Sequence, residues 1–470
     1  TTSASSFYII HNNKLFSWDE LRLKLDSLSQ SLGRFSRLNE TSWQTNHADA
    51  LVAIISQDRS FIVLLLLHAF FKKCCCYPLP LSRSREYINT LLNKQDIDFL
   101  ITDEKLQTLL NNTRVGDLLG DMKHQVSTDA ALSEYLVNTN ELASITKCAL
   151  LITTSGSISL PKVVPLSFSN IVHHVKSFTQ AIPLTPQDLW LNCLPLEHIA
   201  GVMVLYRCLL ARAGMLLDNN FDEKRVWREL HAHPVSHISL VPLMLKKLLD
   251  YTHDASPPGP LKYALIGGDA VSETLYQRAK RSGWPVYLSY GMTEACSTIA
   301  IGREREKLQL LDGISQQINQ KGELLIKGPM LMSGYTMQAR DKTYELKNNW
   351  FNTHDLVNCK GRFIRFQGRS DSRIISGGMT LEPQLIEDLL MANPGEKDVA
   401  AGKVNHPEWA HSIVALVKGD IEQLKFWADK HLDKSYRPRF YITVVNIPRN
   451  DSGKISRAEV QQIIETSLQN

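Results

Sequence analysis

Residues 236–294 read SHISLVPLMLKKLLDYTHDASPPGPLKYALIGGDAVSETLYQRAKRSGWPVYLSYGMTE, and the order of apolar and amphipathic runs in this stretch decides the fold class. Ser236 to Val241 is an apolar run of strand length, and Leu243 to Tyr251 has a helical pattern. A second strand-like run, Tyr263 to Ile266, ends on Gly267-Gly268 and leads to a helix-like segment, Ser272 to Ser282. The stretch closes on Tyr290-Gly291-Met292-Thr293-Glu294, directly after another strand-like run. Apolar strands separated by amphipathic helices are buried on both faces, which calls for parallel sheets covered by helices.

The alternation extends outward. Leu51 to Ser56, Phe99 to Thr102, Ala149 to Thr153 and Trp190 to Leu194 read as buried strands, and Ser17 to Leu32, Ser60 to Lys73 and Ser167 to Gln180 as helices. From about Asp312 the texture changes to short strands bounded by glycine: Gly322 to Lys327, Trp350 to Asn352 and Arg362 to Gln367. Beyond Gly368 come a helical Leu381 to Ala392, a strand-like Ser412 to Val417, a helical Ile421 to Leu432, a strand-like Phe440 to Val445 and a helix from Ser456. That last stretch of roughly 100 residues is long enough for its own α+β core. The expected division is an α/β domain over residues 1–368, a hinge at 369–371 and a small domain over 372–470.

With 43% hydrophobic and 21% charged residues, the 470-residue chain has globular composition. A net charge of +4, with no stripe of clustered Lys and Arg, argues against nucleic acid as a partner. The most apolar run, Phe61 to Phe71, falls short of the roughly 20 residues a bilayer span needs, so a buried helix is expected. No basic region followed by an apolar core and a cleavage site opens the sequence, which points to the cytoplasm. The eight cysteines, three of them consecutive at Cys74 to Cys76, fit neither a disulfide framework nor a zinc knuckle and read as reduced.

Five segments carry chemistry. Thr153-Thr154-Ser155-Gly156-Ser157-Ile158-Ser159-Leu160-Pro161-Lys162 follows a strand and gathers hydroxyls, a glycine and a lysine able to bind a polyphosphate. It lacks the closing Gly-Lys-Ser/Thr of a Walker loop and the second glycine of a nucleophile elbow, so a Ser-rich turn remains the alternative. In Tyr290 to Glu294 the ring offers a stacking face for a base, and Thr293 and Glu294 suit a phosphate oxygen and a hard Mg2+ ion. Trp350-Phe351-Asn352-Thr353-His354-Asp355 supplies a carboxylate fit for ribose hydroxyls. Gly368-Arg369-Ser370-Asp371, followed by Ser376-Gly377-Gly378, supplies an arginine fit for phosphate. Pro448 to Arg457, containing Gly453-Lys454, is in isolation only a basic turn before a helix.

In their order and spacing the five resemble the superfamily of acyl-CoA synthetases, luciferases and peptide-synthetase adenylation domains, from about Phe16 to Ile464. Leu194-Pro195-Leu196-Glu197-His198-Ile199-Ala200-Gly201, Arg207, Leu240-Val241-Pro242 and Ala295-Cys296-Ser297-Thr298 are most similar to the branch of o-succinylbenzoyl-CoA synthetases of menaquinone biosynthesis. The resemblance implies stacked, mainly parallel sheets with a small β-barrel-like subdomain, capped by a mobile α+β lid. It also implies ATP, Mg2+ and coenzyme A acting on a small carboxylic acid through an acyl-AMP.

By the same resemblance, Thr154, Ser155, Gly156, Ser157 and Lys162 handle the departing pyrophosphate. Tyr290 and Gly291 face adenine beside Gly267 and Gly268, Asp355 grips the ribose, and Arg369 reaches ribose or phosphate. Thr293 contacts the α-phosphate, Glu294 holds Mg2+, and Lys454 is the catalytic lysine of the first half-reaction. His198, Arg207 and Thr298 line the acyl pocket, with Arg207 meeting a second substrate carboxylate. Asp371 is the hinge, and Gly377-Gly378 lead to the thiol channel.

Two departures stand out. Ser157-Ile158-Ser159 replaces the family's Ser-Thr-Gly, and Glu197 replaces a residue that is commonly aromatic. The first keeps a non-catalytic nucleotide-binding relative in view, and the second raises an amine-bearing substrate. An aryl or medium-chain acid, or a carrier-protein thiol as acceptor, also stays open, and a homodimer is neither required nor excluded.

Overall fold

The computed structural model describes residues 7–32, 50–80, 88–89, 91–92, 95, 97–102, 139–154, 162–305, 307–335, 346, 348–370, 372–376, 379–393, 398–406, 410–449 and 453–468. Three sheets organise them. In the first, Phe99–Thr102, Leu51–Ile55, Cys75–Pro78 and Cys148–Thr154 run parallel, and Lys162–Ser167 closes the edge antiparallel to Cys148–Thr154.

Among the described residues the second sheet has thirteen strands, with Lys14–Phe16 at one edge antiparallel to Tyr8–His11. Its parallel part contains Tyr8–His11, Gly214–Leu217, Leu189–Asn192, His237–Leu240, Tyr263–Gly267 and Val286–Met292. It continues without a break into an antiparallel part, Ser297–Glu304, Lys307–Leu310, Phe363–Arg369, Phe351–Lys360, Glu323–Lys327 and Ser315–Ile318.

Helices sit where the sequence pattern expects them. The apolar run forms the helix Arg59–Lys72, started by Asp58, whose carboxylate accepts from the amides of Ser60 and Phe61, and ended by left-handed Lys73 at φ 57°. Residues 59–70 of it are buried, so it is a core helix. Phe168–Ala181 begins with a reciprocal capping box between Ser167 and Asn170, and buries Phe168, Ile171, His174 and Phe178. Among the described residues no helix is long and apolar enough to cross a membrane. The eight cysteines are free thiols, and only Cys359 is exposed.

The third sheet, centred on Ala410–Lys418, lies between two apolar clusters of its own. Ile374, Leu381, Ile386, Leu390 and Leu424 pack on one side, and Ala400, Val414, Leu416, Val460 and Ile464 on the other. The sequence reading did not name several elements, among them the strands Tyr8–His11, Gly214–Leu217 and Ser297–Glu304 and the helices Ile199–Ala211 and Glu223–Ala232, and two further differences bear on the site. Asp398–His406 is a strand the pattern did not disclose, because Ala400, Ala401 and Gly402 carry little apolar signal. The strand expected at Trp350 to Asn352 runs as Phe351–Lys360, its alternation masked by a bulge.

Candidate active site

The parallel strands Tyr263–Gly267 and Val286–Met292 are neighbours, with Gly267 paired to Ser289, and the candidate site gathers at their carboxyl ends. Crevices at that end of a parallel sheet are where α/β folds place ligands. Beyond Gly267 the chain turns through Gly268 at φ +86°, a conformation that favours glycine. A Cβ there would lie 3.1 Å from Cε of Lys454, so this lysine of the C-terminal segment reaches the turn.

Lys454 is partly buried among charges. Burial lowers its pKa, opposed by Asp269, Glu294 and Asp355 and reinforced by Arg369. Residues from three of the other four sequence segments, together with the Gly-Gly turn and Asp269, thus surround the lysine of the fifth.

Asp355, 5% exposed, receives a hydrogen bond from the Tyr290 hydroxyl at 2.5 Å and one from Arg369 Nη1 at 3.0 Å. Burial, then the neighbouring Asp355 carboxylate, push the Tyr290 phenol well above its ordinary value, so it stays a neutral donor. Thr293 and Glu294 lie in a short 3-10 turn after the strand. The Tyr335 hydroxyl donates to Glu294 Oε1 at 2.6 Å, and Lys162 Nζ stands 4.6 Å from the centre of the same ring. Thr154 and Lys162 are paired opposite one another where two antiparallel strands end, with residues 155–161 between them. Ser155, Gly156, Ser157, Asp371, Gly377 and Gly378 lie outside the described residues.

Behind the turn sits Arg207, only 2% exposed, on the helix Ile199–Ala211. Its guanidinium carbon is 3.8 Å from the Phe178 ring centre and 5.6 Å from that of Trp190. Nη2 donates to the Thr298 hydroxyl at 3.5 Å, while Nε has no hydrogen-bond partner. Among the described residues no carboxylate pairs with it, and burial lowers its pKa to about 9. The Thr298 hydroxyl is also 2.8 Å from Ser289 Oγ, and Ser289 packs against Gly267, which sets Arg207 directly behind the turn. His174 stacks on Phe178, its Nε2 2.9 Å from the Thr298 carbonyl. Burial and Arg207 keep that imidazole neutral. His198 is the residue preceding this helix, half-buried at its N-terminus.

Three residues that the sequence did not single out belong to this constellation: Asp269, Tyr335, and Glu323, whose carboxylate accepts from Asn352 near Asp355 and from Ser370 beside Arg369. Asp269 could have been suspected from its place directly after Gly267-Gly268. Tyr335 and Glu323 carried no comparable signal.

A glycine turn approached by a lysine from the C-terminal segment, beside a tyrosine bonded to a buried aspartate, is the arrangement expected of an adenylate-forming site. The chain belongs to the AMP-binding enzyme family, whose pattern it matches over residues 45–336. Among similar proteins, the 2-succinylbenzoate–CoA ligase of Lactococcus lactis is 27% identical over 455 residues, spanning 91% of this chain and 95% of the relative. The enzyme of the same name from Bacillus pumilus is 28% identical over 474 residues, spanning 96% and 93%. The Bacillus subtilis o-succinylbenzoate CoA synthetase in complex with its acyl-adenylate intermediate superposes with a TM-score of 0.80 at 22% identity, covering 98% and 96% of the two chains. ATP-bound MatB of Rhodopseudomonas palustris gives 0.80 at 18% identity, covering 100% and 98%.

Proposed function

We propose that this protein is an ATP-dependent o-succinylbenzoate–CoA ligase, which forms o-succinylbenzoyl-AMP with loss of pyrophosphate and then transfers the acyl group to coenzyme A. The observation that carries the substrate is Arg207, a buried guanidinium with no carboxylate partner among the described residues, set behind the glycine turn that Lys454 reaches. A dicarboxylic acid supplies one carboxylate to the α-phosphorus and a second to the cation. Buried charges are normally paired, so the ligand is the natural partner here.

In the first half-reaction the substrate carboxylate attacks the α-phosphorus of ATP and the bond to pyrophosphate breaks. Tyr290 and the Gly267-Gly268 turn form the walls for adenine, and Asp355 receives the ribose hydroxyls. The Lys454 ammonium lies between carboxylate and α-phosphate and stabilises the negative charge that gathers there. Thr293 donates to the α-phosphate, and Lys162 with the loop before it attends the departing pyrophosphate.

Mg2+ fits this donor set. No cluster of three metal-ligating side chains occurs among the described residues, but Mg2+ is commonly held by one or two carboxylates together with substrate phosphates. Glu294 would be that carboxylate, and the ion would supply positive charge to the phosphates. In the second half-reaction the thiol of coenzyme A replaces AMP on the acyl carbon. Rotation of the small domain about Asp371 withdraws Lys454 and brings Gly377-Gly378 to the thiol arm. His198 and Thr298 complete the acyl pocket. Use of ATP and coenzyme A supports a cytoplasmic location.

The test is ATP–pyrophosphate exchange with a panel of carboxylic acids headed by o-succinylbenzoate, alongside CoA-thioester formation. Exchange and thioester with that acid are expected. Exchange only with another acid would discard the substrate, and exchange with none would discard the ligase.

A further inference from the structure

The carboxylate assigned to ribose, Asp355, owes its direction to a bulge. Leu325 pairs with Asn352 and Glu323 with Leu356, so Thr353, His354 and Asp355 stand opposite Leu324 alone. Such an irregularity re-aims side chains that a regular strand would send elsewhere. Here it leaves Asp355 against the Tyr290 hydroxyl.

Holding the bulge requires strain. His354 sits at φ 58°, in the left-handed region that residues with a Cβ resist. Its amide donates to Asn352 Oδ1 at 3.0 Å, and the Thr353 hydroxyl bridges the Leu324 carbonyl at 2.9 Å and the Asp355 amide at 3.0 Å. Glu323, 5% exposed on the facing strand, ties the ends together. Its carboxylate accepts from Asn352 Nδ2 at 2.8 Å, from Asn319 Nδ2 at 2.7 Å and from the Ser370 hydroxyl, with His354 Nδ1 at 3.2 Å. The Ser370 amide in turn donates to the His354 carbonyl at 2.9 Å. One carboxylate therefore gathers the bulge and the residue that precedes Asp371.

We propose that Glu323 is the positioning residue of the nucleotide site: together with His354 it locks the bulge that aims Asp355, and through Ser370 it couples that bulge to the hinge segment. The inference rests on the reading of Asp355 as the ribose ligand. Glu323 touches no substrate. It acts by keeping the binding-competent conformation populated, so its loss weakens nucleotide affinity by the fraction of molecules that leave that conformation.

The test is calorimetric titration of Mg-ATP into wild-type protein and the variants His354→Ala, His354→Gly, Glu323→Gln and Glu323→Gln/His354→Gly. Alanine lacks the imidazole tie and resists positive φ, so H354A is expected to weaken ATP binding roughly 5- to 30-fold. H354G also lacks the tie but adopts that φ freely, so it should bind ATP more tightly than H354A. E323Q should weaken ATP binding, and adding His354→Gly to it should restore part of the loss. Equal affinities in H354A and H354G would overturn the proposal, as would E323Q with wild-type affinity and only a lower Tm. Should E323Q fail to fold, the exposed His354 pair decides alone. A wrong acid or acceptor leaves these ATP titrations untouched, whereas wild-type protein that binds no ATP would sink the nucleotide reading and this inference with it.

Discussion

Replacing Arg207 by methionine should leave the fold as stable as before, or more so, while removing the enzyme's preference for a dicarboxylic acid. Burial pushes the guanidinium down from its ordinary value to about 9. A displacement of that size opposes the charged form by a few kcal/mol, at about 1.36 kcal/mol per pH unit. Because the folded-state pKa is depressed for a basic group, the unfolded chain binds more protons above about pH 9, so stability rises with pH from there. At neutral pH the cost is carried in full. Contacts with the Phe178 and Trp190 faces offset about 1–2 kcal/mol each, leaving a small net penalty that methionine removes. Catalysis should move the other way, since taking one partner from a buried charge pair costs about 2–5 kcal/mol, or roughly 30- to 5,000-fold in kcat/KM. The assay pairs thermal unfolding without substrate with thioester formation from o-succinylbenzoate and from benzoate, which lacks the second carboxylate. A variant that is clearly less stable and still discriminates between the two acids would refute the reasoning.

Other outcomes follow from the same geometry. Lys454→Ala should slow acyl-AMP formation by roughly 100- to 1,000-fold and spare thioester formation from supplied acyl-AMP; equal loss in both half-reactions would count against its assigned role. Gly268→Ala places a Cβ 3.1 Å from Lys454 Cε at a φ of +86°. Its strain of about 1–2 kcal/mol should appear as slower adenylation, and a wild-type rate would contradict the closed arrangement of lysine and turn. Hydrogen bonds, led by that from Ser370, hold Glu323 at about 2 instead of 4.5. A depressed carboxylate contributes stability that is complete above its unfolded pKa and lost as pH falls from 4.5 toward 2, here about 3 kcal/mol. The profile of Tm between pH 5 and 3 should therefore be flatter in Glu323→Gln, and parallel profiles would argue against that bonding.

What could be read in the sequence follows from how locally each feature is encoded. His237–Leu240 and Tyr263–Gly267 are apolar along their length and flanked by turn residues, so their positions were legible within a residue or two. The burial of Arg207 was not read from the sequence, where only the family resemblance set it apart from a surface arginine, although Ile199–Ala211 is apolar around it and offers little route to water. The tie between Glu323 and Ser370 was not legible either, since it joins residues 47 apart across a bulge whose polar members, Asn352, His354 and Asp355, look like a turn. Tyr335 is equally silent, because its contact with Glu294 depends on two loops meeting 41 residues apart.

The charge balance around the substrate segment bears on the departure at Glu197. An acidic group there would favour an amine-bearing substrate only if nothing in the protein answered it. Arg59, 6% exposed at the start of its helix, donates through Nη2 to the Leu194 carbonyl at 2.5 Å and lies within electrostatic reach of Glu197 and Asp218. The acid therefore has a guanidinium to meet, held against the backbone of the same segment. Arg207, with no carboxylate among the described residues, does not have the converse. Among the described residues the uncompensated charge of this segment is positive, which supports the proposed second carboxylate on the substrate and argues against an ammonium group.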